Sequence, residues 1–275
     1  MPSTLDLPQF FASELDYPLA YTQTGAGEIQ LLIHGSLCDY RYWRWQLAAL
    51  GQQYHVVAPS LRGCWPNAFQ VENARFSIAQ HTEDIINFVS RHMRGHRVHV
   101  LGHSRGAHVA LEMALAAPDL VTSLILADPG FRIDSQSDAH SFLQTTVSQL
   151  QEGNTEAALS EFVDTVNGEG TWRHMVDWFK TMVRDNATTL LSQSLETDLV
   201  FDPARARQLK CPVLLLGGAN SPPRYGRVIS ALAENIAQAQ RDTIALAAHG
   251  MNLANPRAFN ERVLQFLSTT TATTS

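Results

Sequence analysis

Short apolar runs rich in valine, isoleucine and leucine alternate along the chain with longer amphipathic segments. Several of the short runs are continuously apolar, which is typical of parallel strands buried on both faces of a sheet. Strand-like runs lie at residues 19–23, 29–33, 55–58, 97–101, 123–127, 213–216 and 242–246. Helical patterns lie between them at residues 43–50, 78–92, 106–116, 225–237 and 256–266. The alternation predicts the α/β class, with a mostly parallel sheet covered by helices on both faces.

The alternation stops after Gly130 and resumes only after Pro212. Amphipathic patterns predict four helices in this stretch, at residues 142–150, 155–166, 172–183 and 187–195. We interpret the stretch as an insertion between two strands of the sheet. The predicted organisation is therefore a helical lid at residues 131–204, inserted into a core made of residues 1–130 and 205–275.

Large aromatic side chains are spaced along the predicted lid, and they are candidates to line a substrate pocket. They include Phe142, Phe162, Trp172, Trp178 and Phe179. Aromatic residues at helical spacing more often pack a core than line a pocket, so both roles stay open. Trp172 and Trp178 are the residues that we predict to contact the substrate.

Composition and charge narrow the class of partner. The chain has 275 residues, with 45% hydrophobic and 17% charged residues, as in an ordinary globular protein. Its formal net charge of −6 argues against a nucleic-acid partner, which requires a clustered basic surface. The expected partner is a small-molecule substrate. The sequence carries no signal of the oligomeric state.

The cysteines and the start of the chain bear on compartment. The three cysteines, Cys38, Cys64 and Cys211, are too few and too scattered for a disulfide framework or a zinc site. The first residues lack the basic and apolar regions of a secretory signal, and no apolar run approaches the length of a membrane span. We therefore expect a soluble cytoplasmic protein with reduced thiols, no membrane association, no metal and no cofactor.

A G-x-S-x-G pentapeptide at residues 102–106 joins the strand-like run that ends at Leu101 to the following helical pattern. A turn this tight forces its central Ser104 into strained backbone geometry, and the flanking glycines remove side chains that would clash. The turn leaves the Ser104 hydroxyl exposed above the sheet, where a base and a carbonyl substrate both reach it. The pattern predicts Ser104 as a nucleophile.

A serine nucleophile needs a base and donors for the oxyanion, and the sequence offers both. His249 lies on a short loop that leaves the last strand-like run, and we predict it as the base. His103 and His108 flank the nucleophile and are predicted mainly to pack. The run that ends at His34-Gly35 would direct the backbone N–H of Ser36, together with that of Arg105, at the carbonyl oxygen.

These motifs together resemble the α/β-hydrolase superfamily. The resemblance rests on Ile33-His34-Gly35, on residues 59–63 (PSLRG), on the turn at Ser104 and on the late His249. It covers nearly the whole chain. It implies the α/β-hydrolase fold, a mostly parallel eight-stranded sheet flanked by helices, with a lid after the sixth strand. It also implies the chain order serine, acid, histidine.

The acid departs from the commonest pattern of the family. Many relatives carry it in a turn after the seventh strand, where this chain has Asn220. A neutral amide does not stabilise an imidazolium, and an Asp-to-Asn change in this role costs a serine protease about 10⁴-fold in rate. Asp128 ends the sixth strand, where some relatives place their acid, and an ionised side chain directly after four apolar residues is costly unless paired. We predict Asp128 as the acid, with Asn220 as the alternative.

The leading functional hypothesis is a serine hydrolase, similar to a carboxylesterase, that cleaves a small carboxylic ester or related acyl compound. An acyl-enzyme would form on Ser104 with the help of His249 and Asp128. The resemblance also leaves open a cofactor-free dioxygenase that uses the His249–Asp128 pair as its base, and a carbon–carbon hydrolase or lyase. A third hypothesis, motivated by Asn220, is a ligand-binding protein on a retained hydrolase fold.

Overall fold

A computed structural model of the chain describes residues 7–67, 76–134, 139–196 and 199–271. These residues form an eight-stranded sheet in the order β1-β2-β4-β3-β5-β6-β7-β8. The strands are β1 (Phe10–Ala12), β2 (Leu19–Thr24), β3 (Ile29–Ile33), β4 (His55–Pro59), β5 (Val98–His103), β6 (Val121–Ala127), β7 (Val213–Gly218) and β8 (Gln240–Ile244). The predicted fold class is thereby confirmed.

The six strands β4, β3, β5, β6, β7 and β8, given in their order across the sheet, run parallel to one another. At one edge of the sheet β2 pairs antiparallel with β4, and β1 pairs antiparallel with β2. The register aligns Ile33 with Gly102 and His103 with Ala127, so β3, β5 and β6 end side by side. Ala127 in turn lies opposite Leu216 of β7. The residues that follow these strands therefore meet at one edge of the sheet, where ligands of open α/β sheets bind.

Helices cover both faces of the sheet, and alternate residues of each strand point to opposite layers. On one face, Leu31 and Val100 pack with helices α2 (Ile78–Asn87), α3 (Arg105–Ala116) and α9 (Pro223–Asn235). On the other face, Leu32 and Leu101 pack with α1 (Arg44–Leu50), α10 (Met251–Ala254) and α11 (Pro256–Thr271). The core strands are mainly apolar because both of their faces are covered.

The described part of the stretch between β6 and β7 contains five α-helices and a short 3-10 helix at Pro203–Gln208, whereas the sequence predicts four helices. The α-helices are α4 (Ala139–Gln151), α5 (Thr155–Asn167), α6 (Thr171–His174), α7 (Asp177–Asp185) and α8 (Thr189–Gln193). The predicted helix at residues 172–183 is broken at Met175 and Val176, which both have extended backbones. The backbone N–H of Trp172 donates to Asp164 of α5, which ties the short α6 to α5, whereas α7 packs on the core.

These five helices, called the helical insertion below, pack against the core. Phe162 and Val163 of α5 and Met182 of α7 are buried in the same hydrophobic cluster as Trp43 and Phe259 of the core. The insertion thus shares a hydrophobic cluster with α1 and α11. Along the described ranges, no helix has both the length and the apolar character needed to span a membrane.

Candidate active site

Ser104 occupies a sharp turn between β5 and α3, as the pentapeptide predicts. Its backbone has φ 55° and ψ −120°, in the left-handed half of conformational space that a non-glycine residue rarely occupies. Three hydrogen bonds hold this strained conformation: Ser104 N donates to Ala127 O at 3.0 Å, and Ser104 O accepts from Ala107 N at 3.0 Å and from Gly130 N at 3.1 Å. Strain of this kind is retained where the surrounding structure fixes it, as at many functional sites.

Asp128 directly follows β6 and is fully buried beside the turn. Its backbone N–H donates to Leu216 O of β7 at 2.8 Å, which fixes its position at the end of the sheet. The carboxylate accepts hydrogen bonds from Ser221 Oγ at 2.5 Å and from Gly218 N at 3.4 Å, and His249 Nδ1 lies 3.3 Å from Oδ2. A carboxylate only accepts, so His249 carries its proton on Nδ1 and presents the lone pair of Nε2.

Burial sets the protonation of this pair. Burial raises the pKa of Asp128 to about 6, against the opposing effect of the Ser221 hydrogen bond. Burial, with a smaller contribution from the charge of Arg224, lowers the pKa of His249 to about 3. At neutral pH the pair therefore consists of a carboxylate and a neutral imidazole, which is the state that a general base requires.

The ring of His249 lies between two other rings. Tyr225 of α9 stacks on one side at 4.1 Å with an interplanar angle of 11°, and His103 lies 4.5 Å away. His103 Nε2 donates to His249 O at 2.7 Å. Burial, with a contribution from His249, lowers the pKa of His103 to about 3, so its ring stays neutral. These contacts leave the imidazole of His249 little freedom to rotate.

Two cavities meet at Ser104. The smaller one, called the His249 cavity, is lined by His249, Tyr42, Phe179 and other mainly apolar residues. The larger one has a volume of about 190 Å³ and extends toward α9. It is called the arginine cavity because Arg105, Arg132, Arg224 and Arg227 are among the residues that line it. Ser104 and His249 share the His249 cavity, and among the described residues no hydrogen bond joins the two side chains. Such contacts are often long in unliganded enzymes.

The predicted oxyanion donors lie beside Ser104. Ser36 lines both cavities, and Arg105 is the first residue of α3. Within the part of the chain that the structure describes, neither backbone N–H donates a hydrogen bond to another residue. Gly35 permits this approach, because a Cβ atom there would lie 2.9 Å from Ser104 Cβ. The turn thus offers two unpaired main-chain donors next to the hydroxyl.

The structure separates Asn220 from the buried carboxylate. Asn220 is exposed, and its backbone N–H donates to Ala247 O at 2.9 Å. The next residue, Ser221, turns its hydroxyl toward Asp128 instead. Ser221 was not predicted as a site residue. The available signal was its position in the turn after the seventh strand, where many relatives carry their acid. Tyr225 was not predicted either, and no local motif marks it.

The two tryptophans predicted to contact substrate lie away from both cavities. Trp172 is buried with the cations of Lys180 and Arg184 at 5.4 and 5.7 Å from its ring. Trp178 packs under Arg44 at 4.4 Å. Neither tryptophan is among the residues that line the two cavities. The aromatic residues of the insertion that do line the cavities are Phe162, in both, and Phe179, in the His249 cavity. The side chain of Phe142 lies outside the described residues.

Other reactive groups do not converge on a second centre in the described ranges. No three histidine, cysteine, aspartate or glutamate side chains there come close enough together to hold a metal ion. Burial raises the pKa of the Cys38 thiol well above its ordinary value, and burial raises the pKa of Cys64 in the same way. Both thiols are therefore held in their unreactive protonated form.

Comparisons with known proteins concern the family and the fold. The sequence model described as "Alpha/beta hydrolase family" matches residues 30–262. Among curated relatives, the protein named "Putative carbamate hydrolase RutD" from Agrobacterium fabrum is 25% identical over 242 residues, covering 82% of this chain and 87% of that protein. Its namesake from Caulobacter vibrioides is 23% identical over 270 residues, covering 92% of this chain and 95% of the relative.

Solved structures show the same fold. A thermophilic esterase from Thermogutta terrifontis superposes with a TM-score of 0.78 at 22% identity, covering 96% of this chain and 99% of that one. A hydrolase from Pseudomonas aeruginosa superposes with a TM-score of 0.78 at 23% identity, covering 94% and 98% of the two chains. At such identities the likeness concerns the architecture.

Proposed function

The chain belongs to the alpha/beta hydrolase family, and from this premise we propose that it hydrolyses a small carboxylic ester or related acyl compound through an acyl-enzyme. One observation carries the proposal. Ser104 sits in a strained turn beside two unpaired main-chain donors and shares a cavity with His249, which pairs with the buried Asp128. This is the set of groups that acyl transfer to serine requires.

In the proposed reaction the Ser104 hydroxyl attacks the carbonyl carbon while His249 Nε2 takes the hydroxyl proton. The carbonyl oxygen becomes an oxyanion, and the N–H groups of Ser36 and Arg105 donate hydrogen bonds to it. Donors that are already oriented stabilise this charge without reorganisation, and losing one such donor costs about 10²–10³-fold in rate.

The intermediate then collapses. The bond to the alcohol breaks, His249 returns the proton to the leaving oxygen, and the acyl group remains on Ser104. Water activated by the same imidazole hydrolyses this ester and regenerates the hydroxyl. Asp128 keeps the proton of His249 on Nδ1 and stabilises the imidazolium that forms in both steps, as its contact at 3.3 Å allows.

The relatives support hydrolysis in general terms. The curated relatives bear the name of a carbamate hydrolase, and one solved neighbour is an esterase. Carbamates and esters both present a carbonyl carbon bonded to a heteroatom, so the same attack by a serine hydroxyl serves either. We place small esters first because the His249 cavity, which contains Ser104 and the proposed base, is lined mainly by apolar residues.

Activity-based labelling tests the proposal. A fluorophosphonate probe is expected to label the purified protein, and a screen of short 4-nitrophenyl esters is expected to give turnover. Ser104→Ala should abolish both. Ser90→Ala, which removes an exposed serine on the segment after α2, is the matched control and should leave both unchanged.

Oxygen consumption distinguishes the main alternative. Turnover of a hydroxylated heteroaromatic compound with oxygen uptake, retained in Ser104→Ala, would replace the hydrolase by a cofactor-free oxygenase that uses His249 and Asp128. Absence of labelling together with absence of ester turnover would also contradict the proposal.

A further inference from the structure

Cationic side chains concentrate around the arginine cavity. Four arginines line it, whereas its acidic lining residues are Asp134 and Glu196; the arginines are Arg105, Arg132, Arg224 and Arg227. The whole chain carries a formal net charge of −6, so this concentration runs against the overall charge. A cavity with an excess of one sign of charge and low-dielectric walls attracts ligands of the opposite sign.

Arg105 contributes a guanidinium that is buried and only partly satisfied. Its side chain is 8% exposed, and Nη1 lies 2.6 Å from Glu196 Oε2. Its Nε and Nη2 atoms are buried and have no hydrogen-bond partner among the residues that the structure describes. Unmade hydrogen bonds of a buried charged group are costly, so a ligand acceptor in the cavity would relieve the cost.

Arg224 is the second cation near the reacting groups. Its Nη2 donates to Thr165 O at 2.7 Å and to Tyr225 Oη at 3.2 Å, and Tyr225 stacks on His249. Within the described chain, neither Arg224 nor the exposed Arg227, three residues later on α9, pairs with a carboxylate. Residues three apart lie on one face of a helix, so the two cations act together.

Apolar side chains make up much of the remaining lining, and they include Phe131, Ile133, Phe162 and Val228. A ligand that fills the cavity from the serine outward therefore meets apolar surface as well as positive charge. Planar guanidinium groups match the geometry of a carboxylate, because two N–H donors address its two oxygens.

From these contacts we infer that the substrate is anionic: it carries a carboxylate on a short apolar spacer from the scissile carbonyl, and Arg224 and Arg105 bind that carboxylate. The inference rests on the proposed hydrolase function and specifies its substrate class. Arg227 strengthens the positive potential at the outer end of the cavity.

Charge-matched substrate pairs test the inference. The acyl-side pair is the mono-4-nitrophenyl ester of adipic acid and 4-nitrophenyl adipamate; the alcohol-side pair is 4-acetoxyphenylacetate and 4-acetoxyphenylacetamide. Each pair differs only in carboxylate against carboxamide. In at least one pair we expect kcat/KM for the carboxylate to exceed that for the carboxamide by about tenfold or more, as charge-assisted hydrogen bonds provide.

The variant Arg224→Gln separates recognition from general damage. In this variant we expect the ratio of kcat/KM for the carboxylate to kcat/KM for the carboxamide to fall toward one. General damage to the site would instead lower kcat/KM for both substrates and leave their ratio unchanged. Arg207→Gln, at an exposed arginine outside the cavity lining, is the control and should keep the wild-type ratio. A ratio of one in the wild type for both pairs, or an unchanged ratio in Arg224→Gln, would overturn the inference.

Binding without turnover distinguishes failure of the inference from failure of the proposed function. Calorimetric titration with 4-hydroxyphenylacetate and with 4-hydroxyphenylacetamide is expected to show tighter binding of the carboxylate. Carboxylate-selective binding without hydrolysis of any ester would preserve the anion site and refute the hydrolase. Hydrolysis of the neutral esters, with no preference for carboxylates in turnover or binding, would support the hydrolase and refute the anion site.

Discussion

Among the groups that stabilise the ionised form of Asp128, the hydroxyl of Ser221 contributes most. Asp128 is fully buried, and burial raises its pKa to about 6 despite the hydrogen bond from Ser221 Oγ at 2.5 Å. That hydroxyl stabilises the ionised form, so its removal raises the pKa further. His249 Nδ1 lies 3.3 Å from Asp128 Oδ2, so any change in the charge of Asp128 affects the proposed base.

The pH dependence of ester hydrolysis follows from this arrangement. A protonated Asp128 no longer stabilises the imidazolium of His249, so kcat/KM should fall as the pH drops below about 6, in line with the pKa of Asp128. In Ser221→Ala the loss of the stabilising hydroxyl should move this acid limb to higher pH. The measurement is a pH profile of kcat/KM with a neutral ester.

Asn220→Ala supplies the matched control for that profile. Asn220 is the exposed neighbour of Ser221, and its change should leave both the limb and the plateau in place. A profile that is identical in Ser221→Ala and the wild type would show that the hydroxyl does not set the ionisation of Asp128. An altered profile in Asn220→Ala would point instead to the amide as the controlling group.

Individual site residues were predictable to the extent that strand ends determine their place. Ser104 and Asp128 each directly follow an apolar strand, and His249 lies on the loop after β8, so the parallel sheet brings all three to one edge. Ser221 and Tyr225 join the site through contacts between side chains, which leave no periodic trace in a sequence. Trp172 illustrates the same limit, because its helical spacing suits a core or a pocket equally.

At the scale of elements, the junction of β5 and α3 depends on two close backbone approaches. A Cβ atom at Gly106 would lie 2.3 Å from the carbonyl oxygens of His34 and Ile33, and one at Gly102 would lie 2.3 Å from Gly106 O. Backbone atoms cannot move aside as a flexible side chain does. Helix α3 therefore sits on the end of β3 only because these positions lack side chains.

The same substitution in two helices should have opposite effects. Gly106→Ala in α3 should lower the free energy of unfolding by about 3 kcal/mol, since overpacking against backbone displaces the helix. Gly226→Ala in α9 meets no atom within 4 Å, and it should raise the free energy of unfolding by about 0.5–1 kcal/mol through helix propensity. Urea denaturation measures both. Equal effects of the two changes would refute the argument from close approach.

The predicted strand boundaries agree with the observed ones where a strand is buried, and they differ where a strand is exposed. The run predicted at residues 29–33 coincides with β3, because a strand covered on both faces is mainly apolar. The edge strand β8 begins two residues earlier than predicted, since its first four residues are exposed and polar. Strand β1, with three residues, is too short for its alternation to be recognised.

For the whole molecule, the question is how the helical insertion is held on the core. Beside the shared hydrophobic cluster, a buried polar network joins them through Asn186, which follows α7. Asn186 Nδ2 donates to Asp39 Oδ2 at 2.8 Å, and Asn186 Oδ1 accepts from Trp65 N at 2.8 Å. Arg41 also donates to Asp39 at 2.7 Å and to Asp185 at 2.9 Å. One amide thus connects two core loops to the insertion.

Loss of that amide should loosen the insertion more than the sheet. Asn186→Ala leaves the partly buried Trp65 N without its partner and removes one of the two donors to Asp39 Oδ2, the other being Arg41. Each unmade bond of a buried group costs about 1–3 kcal/mol. Hydrogen exchange should therefore accelerate in α7 and α8 while β5 keeps its protection, because local opening draws on the least stable contacts. Asn154→Ala, at an exposed position of the insertion, should change protection little. Uniform acceleration across β5 and α7 would show instead that insertion and sheet unfold as one unit.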